Sequence, residues 1–265
     1  MFGPIQHRLF AAPRAWPCLT ATLLGLCCLL GLTTQVQAGT ARVAVAANFT
    51  AAAKEIGTLF ETESGHRLVF SFGATGLLYT QISQGAPFDV FLAADQERPA
   101  KAMAEGFGVA GSLFTYATGR LVLYSIDPNL VQGPQSLTAS RFDKFALANP
   151  TTAPYGAAAI QAMQALKIYP SLKAKMVQGS NIAQTYQFVA TGNAALGFVA
   201  LSQVAGHDHG SRWLVPEALH DAIAQDALLL RAGAENTAAR AFLAFLKGPA
   251  ANAVKTSHGY GTGDD

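Results

Sequence analysis

Residues 42–58 read RVAVAANFTAAAKEIGT, an apolar run whose period changes at Asn48. Val43-Ala44-Val45-Ala46-Ala47 is too short for a helix, whereas Ala52, Ile56 and Phe60 recur at helical spacing just beyond it. Asn48 or Thr50 stands where a helix N-cap belongs. The pattern is that of a buried parallel strand turning directly into a helix. In an open α/β sheet, ligands bind beyond the carboxyl ends of such strands. There the unpaired N–H groups and the positive dipole end of the helix attract anions. No charged side chain lies between Val43 and Ala53, so this turn offers dipoles alone.

The unit repeats. Residues 67–72 (RLVFSF) form a strand that runs into Gly73-Ala74-Thr75-Gly76 and a helix over 77–83. Pro87-Phe88-Asp89 introduces a third strand at 90–94, and Asp95 stands as the cap of a helix over 97–105. Three β-α units in about 65 residues predict a doubly wound sheet. A second series follows, with strands at 121–125, 145–148, 174–177 and 196–199 and helices at 157–166 and after Ile182 to Thr191. Residues 221–230 are amphipathic and become strand-like at 227–230, and helices at 237–246 and 250–256 close the chain. The economical arrangement visits one lobe, then a second, then returns. Residues 39–122 and 229–265 would form lobe 1 and residues 123–228 lobe 2, with 121–125 and 225–231 as a two-stranded hinge. Pattern alone leaves a single continuous sheet open.

The first 38 residues stand apart. They carry Arg8 and Arg14 and no acid, then a 14-residue apolar run from Leu19 to Leu32, then the small-residue site Val36-Gln37-Ala38. This is the layout of a secretory signal peptide cleaved near Ala38, and it predicts a periplasmic product. A membrane anchor needs about 20 apolar residues. A lipoprotein needs a small residue where Leu26 and Cys27 precede the two candidate cysteines. Cys18, Cys27 and Cys28 all lie within this segment, so the mature chain has no disulfide, thiolate metal site or cysteine nucleophile. Taking the two signal arginines from 18 basic residues leaves 16 against 16 acidic ones. A neutral chain with scattered lysines lacks the basic face that nucleic acid demands.

Catalytic patterns are missing. There is no Gly-x-Ser-x-Gly elbow, and no carboxylates cluster in the uncharged turns. His207-Asp208-His209 has metal-like spacing, but its glycine- and serine-rich surroundings read as a solvated loop. Gly73-Ala74-Thr75-Gly76 has neither the length nor the lysine of a phosphate loop. Trp213 and Tyr260 read as packing residues. What remains is four polar turns at 47–49, 74–76, 154–156 and 181–183, two in each lobe and none with Lys, Arg, Asp or Glu. Singly, each is a capped helix start. Together they would surround one cleft with N–H and hydroxyl donors. A pocket of donors only suits a fully deprotonated oxyanion; phosphate keeps a proton near neutral pH and needs an acceptor for it. Asp95 could approach the mouth, but its role as a helix cap already accounts for it.

The stretches VAVAANFTAAAKEI, SFGATGLLYTQISQGAPFDVFLAADQERP, TYATGRLVLYS, ANPTTAPYG, LGFVALSQ and FLAFLKGP, in this order, resemble the periplasmic molybdate-binding proteins of ABC importers. The resemblance spans residues 42–260. It implies an α/β, two-lobed type II periplasmic binding fold, each lobe a doubly wound sheet, closing on one tetrahedral dianion. It places the ligand positions on Asn48 with neighbouring Ala47, Thr75, Tyr155 and Ile182. Asn48 would give a side-chain amide and a backbone N–H, Thr75 a hydroxyl and N–H, Tyr155 an N–H with its hydroxyl, and Ile182 its N–H. Related members often carry Ser or Thr where Ala47-Asn48 stands, so one hydroxyl is missing here, and they use Ser where this chain has Thr75. The implied ligand is molybdate, with tungstate, and the implied partner an ABC importer permease. No cofactor, enzymatic activity or direct metal ligand follows, and a monomer is expected. The alternatives are a receptor for sulfate or another small oxyanion, or an exported non-transport protein on the same scaffold.

Overall fold

The computed structural model describes residues 38–139, 142–206 and 208–261. The signal-peptide reading, His207 and the tail 262–265 lie outside the described residues. The first strand, β1 (Thr40–Ala46), is followed by a single 3-10 turn at Ala47–Phe49 and then α1 (Thr50–Ser64). Val43 and Val45 face one side of the sheet and pack with Phe49, Ile56 and Phe60 of that unit. Ala44, between them, faces the other side with Leu78, Ile82 and Phe91. Both faces are covered, which is why this strand reads as continuously apolar rather than alternating. Burying one such large apolar side chain contributes about 1.5–3 kcal/mol. α1 stops at Gly65, whose φ of 70° supplies the left-handed C-cap that a residue with a Cβ adopts only with strain.

Two more units follow as β2 (Arg67–Gly73), α2 (Thr75–Ser83), β3 (Val90–Leu92) and α3 (Glu97–Ala104). Next come β4 (Phe114–Gly119), β5 (Leu121–Ser125) and β6 (Phe145–Ala148). The chain continues through α4 (Pro154–Ala165), the short α5 (Tyr169–Leu172), β7 (Met176–Gly179), α6 (Ile182–Ala190) and β8 (Leu196–Ala200). It closes with β9 (Ser211–Leu214), β10 (Ile223–Leu229), α7 (Thr237–Leu246) and α8 (Pro249–Ser257). Among the described residues there are two five-stranded sheets, ordered β2-β1-β3-β10-β4 and β7-β6-β8-β5-β9. In the first, β1 pairs in parallel with β2 and β3, and β10 runs antiparallel beside β3 and β4. In the second, β6 is parallel to β7 and β8, while β5 is antiparallel to β8 and β9. In each sheet the first strand of the parallel trio is central, so the chain winds outward both ways and leaves a crevice at the carboxyl ends.

Several expectations are corrected. β4 and β9 were not anticipated; β9 is a four-residue edge strand with Arg212 and Leu214 exposed, too short to show a period. The strand expected at 174–177 lies at Met176–Gly179. The amphipathic stretch from 221 is one strand with its strand-like end, because Ile223–Ala227 pair with β4 and Ala227–Leu229 with β3. All of β10 therefore belongs to the first sheet, although residues up to 228 were assigned to the second lobe. Leu121 and Val122 pair with Ala200 and Val199 and so belong to the second sheet. The chain crosses at Arg120 and returns between Leu214 and Ile223. Asn48 is not a side-chain cap: it sits inside the 3-10 turn, and Thr50 Oγ1 donates back to the Ala47 carbonyl at 2.8 Å.

Candidate functional site

The carboxyl ends of β1, β2, β6 and β7 each lead into a helix, and the four turns meet around one cavity. Its lining consists of Ala46, Ala47, Asn48, Gly73, Ala74, Thr75, Ala94, Ala153, Pro154, Tyr155 and Ile182. All five residues anticipated from the sequence are here, two elements from each sheet. The cavity, with the space at its open mouth included, measures about 190 Å³. A space this small suits one small ion, not a sugar or a peptide. None of the lining side chains is ionisable except the Tyr155 phenol. Burial pushes that hydroxyl well above the ordinary tyrosine range, so it stays protonated.

Donors can be assigned turn by turn, because the first N–H groups of a helix have no partner within it. In α4 the first residue is Pro154, which has no N–H, while Gly156 and Ala157 both donate to the Ala153 carbonyl at 2.9 and 3.2 Å. Tyr155 therefore carries the available N–H of that turn. In α6 the Asn181 side chain caps Gln184 N–H at 2.9 Å and the Asn181 carbonyl takes Thr185 N–H at 3.1 Å. That leaves Ile182 and Ala183. In α2 the Ala94 N–H donates to Thr75 Oγ1 at 3.0 Å. This bond occupies a lone pair, not the hydroxyl proton, and so holds Thr75 ready to donate.

The Asn48 side chain does something else. Its amide nitrogen donates to Gln225 Oε1 at 2.9 Å and to Tyr260 Oη at 3.1 Å, which engages both amide protons away from an incoming ligand. The amide donor role expected of Asn48 is thus taken by a buried network, leaving its backbone N–H. Tyr155 Oη accepts from Gln225 Nε2 at 3.2 Å. The one proton of Tyr116 Oη is shared between Gln225 Oε1 and the Ala93 carbonyl, each 3.0 Å away. Tyr260 Oη lies 2.8 Å from the Asn48 carbonyl and 2.9 Å from Ser202 Oγ, and Ser202 Oγ donates to that same carbonyl at 2.9 Å. Gln225, Tyr116, Tyr260 and Ser202 were not singled out from the sequence as site residues. One signal was available: Gln225-Asp226 is a polar pair inside an apolar strand, and the β10–β4 register shifts there. Such a bulge re-aims side chains beside functional sites.

The two sheets are also tied at the mouth. Gly76 N–H donates to the Thr152 carbonyl at 2.9 Å. Arg98, paired with Asp95 at 2.7 Å, reaches the Thr151 carbonyl at 3.0 Å. Asp95 does not line the cavity. Its carboxylate accepts from the Arg98 backbone and guanidinium, and burial raises its pKa against the opposing pull of Arg98. Among the described residues no group of three or more His, Cys, Asp or Glu could hold a metal, and no helix is long and apolar enough to cross a membrane.

Comparison with known proteins places this geometry. The family described as bacterial extracellular solute-binding protein matches residues 41–261. The chain is 51% identical over 244 residues to the molybdate-binding protein ModA of Rhodobacter capsulatus, across 92% of this chain and 97% of that one. It is 52% identical over 229 residues to ModA of Azotobacter vinelandii, across 85% and 91%. The solved periplasmic molybdate-binding protein of Azotobacter vinelandii superposes with a TM-score of 0.81 at 36% identity, covering 83% of this chain and 98% of that one. The two helix-flanked sheets have the two-lobed type II periplasmic binding fold that the sequence resemblance implied.

Proposed function

We propose, from the premise that the chain belongs to the bacterial extracellular solute-binding protein family, that it captures molybdate, and tungstate with it, and delivers the oxyanion to the permease of an ABC importer. It is a binding protein and not an enzyme, and the oxyanion is its ligand, not a cofactor. The observation that carries this reading is the meeting of four uncharged helix N-termini on a cavity without carboxylate or histidine. We assign the ligand contacts to the N–H groups of Ala47, Asn48, Thr75, Tyr155 and Ile182 and to the Thr75 hydroxyl. The metal is reached only through its oxygens. Molybdate, tungstate and sulfate offer alike hydrogen-bonding chemistry, so cavity size ranks them. Phosphate is disfavoured because its proton finds no acceptor. We take lobe 1 as residues 39–119 with 223–265 and lobe 2 as residues 121–214. We further propose a signal peptide cleaved after Ala38, a periplasmic location and a monomer.

The test is thermal unfolding of ligand-stripped protein beginning at Gly39, with molybdate, tungstate, sulfate and phosphate added separately. At about 100 times Kd, ligand binding stabilises by about 2.7 kcal/mol. For a chain of this length the midpoint then rises by roughly 5–11 °C. A rise with molybdate and tungstate alone is expected. A rise with sulfate alone would reassign the ligand, and no rise with any anion would reduce the four turns to helix caps.

The mouth contacts make a smaller, kinetic prediction. Arg98→Ala removes the tether to the Thr151 carbonyl, a partly exposed interaction worth about 0.2–1 kcal/mol. Molybdate release measured by stopped-flow displacement should quicken by up to about fivefold. Unchanged release would show that this contact does not hold the closed form.

A further inference from the structure

We infer that Gln225, a residue outside the cavity lining, is the positioning residue that holds Asn48 and Tyr155 in register on opposite sides of the anion. The inference rests on the molybdate-receptor reading and deepens it.

Gln225 is fully buried and its one amide group serves both lobes. Oε1 accepts from Asn48 Nδ2 in the turn after β1 and from Tyr116 Oη in β4, while Nε2 donates to Tyr155 Oη in α4 of the second lobe. An amide accepts on one atom and donates on the other without carrying charge at any physiological pH. The bulge between Gln225 and Asp226 turns the two residues to different partners. Asp226 is met instead by Thr115 Oγ1 at 2.7 Å and Gln96 Nε2 at 3.2 Å. The titratable groups facing the Gln225 amide are the hydroxyls of Tyr116 and Tyr155, both raised well above their ordinary value by burial. The hub is therefore neutral throughout the physiological range.

Two consequences follow for binding. The Asn48 amide protons are taken by Gln225 and Tyr260, and Gln225 fixes the Tyr155 hydroxyl by its oxygen, so the backbone N–H of each residue is held toward the cavity. The spacing between the two N–H groups, one from each lobe, is set by a single side chain rather than by two independent loops. Preorganised donors of this kind need no rearrangement when the anion arrives.

Gln225→Leu keeps the size and removes both functions. Gln225→Glu has the same shape and can be switched: as a carboxylate it only accepts, and adds repulsion toward the oxyanion. Once protonated it accepts from Asn48 and Tyr116 and donates its O–H to Tyr155, restoring the pattern. Burial raises a carboxyl pKa, so the restored form grows as pH falls. Molybdate Kd should be measured by calorimetry for wild type and both variants between pH 8 and 5.5, with ligand-free melting recorded alongside. Expected are a flat wild-type profile and a Gln225→Leu Kd weaker by at least about tenfold at every pH, as for unpaired buried polar groups. Gln225→Glu should be weakest at pH 8 and recover toward wild type on acidification. Should Gln225→Leu fail to fold, the Gln225→Glu profile decides alone. Binding by Gln225→Leu within twofold of wild type, or a Gln225→Glu profile without recovery, overturns the inference. Wild-type protein that binds none of the anions overturns the receptor reading, and this inference with it.

Discussion

Thr75→Asp is expected to abolish molybdate binding while leaving the fold intact. The substitution puts a carboxylate at the first residue of α2, facing a cavity lined by no other charge. At about 4 Å and an effective dielectric of about 20, two unit charges repel by about 4 kcal/mol, and the ligand is a dianion. The loss is therefore three orders of magnitude in Kd or more. Thr75 is 1% exposed, so the carboxylate also carries a desolvation cost, offset only in part by the helix dipole and the Ala94 N–H; the ligand-free protein should melt somewhat lower but still cooperatively. This separates loss of binding from loss of structure. Thr75→Ala isolates the hydroxyl: a hydrogen bond to a charged group contributes about 1.5–3 kcal/mol, so Kd should weaken roughly 10- to 150-fold. Thr75→Ser keeps the hydroxyl that Ala94 N–H orients and should bind within a few-fold of wild type. Calorimetric titration of the three variants checks the series. If Thr75→Ala bound molybdate as tightly as wild type, Thr75 would be removed from the proposed ligand set.

The parts of this site that were legible in the sequence share one property: they are local. A strand, an uncharged turn and a helix start occupy a dozen consecutive residues, so period and capping residues place Ala47, Asn48, Thr75, Tyr155 and Ile182 at helix N-termini. Repeating that unit suggested two αβ halves but left a single continuous sheet open; only the resemblance implied two lobes. What escaped was non-local. The pattern read Asn48 as a helix cap and the resemblance gave its amide to the ligand, because nothing near it in sequence competes for its protons; its partners stand 177 and 212 positions away. Tyr260 looked like packing, and it does lie edge-on to Phe49 at 5.2 Å, but its hydroxyl also holds the Asn48 carbonyl. β10 was read as amphipathic before it became strand-like, because Gln225 and Asp226 break the apolar run; the bulge that accommodates them appears only when β4 is set beside it. The same strand explains the shifted lobe boundary. Its neighbours β3 and β4 precede it by a whole lobe, and no short-range pattern reports which sheet a returning strand rejoins.

A second large effect is expected where no ligand contact exists. Gly119 ends β4, one residue before the chain crosses to the other sheet at Arg120. A Cβ at this position would stand 2.1 Å from Tyr155 Oη, 2.9 Å from Tyr155 Cζ and 2.5 Å from Gln225 Nε2. Its φ is not in the left-handed region, so the need for glycine here is one of space and not of backbone strain. The obstructing atoms cannot retreat cheaply. The Tyr155 ring is fully packed, and Gln225 is held by three hydrogen bonds. Tyr155 belongs to the second lobe and Gly119 to the first, so added bulk wedges the lobes apart while each sheet keeps its own core. Overpacking by one methyl group costs about 1–3 kcal/mol, which makes Gly119→Ala roughly 5- to 150-fold weaker for molybdate. Gly119→Val should show no measurable binding. The ligand-free protein should still melt cooperatively, and its small-angle scattering should show a larger radius of gyration that molybdate no longer reduces. Native affinity in Gly119→Val, with wild-type compaction on adding ligand, would mean that the closed arrangement around Tyr155 and Gln225 is not the state that holds the anion.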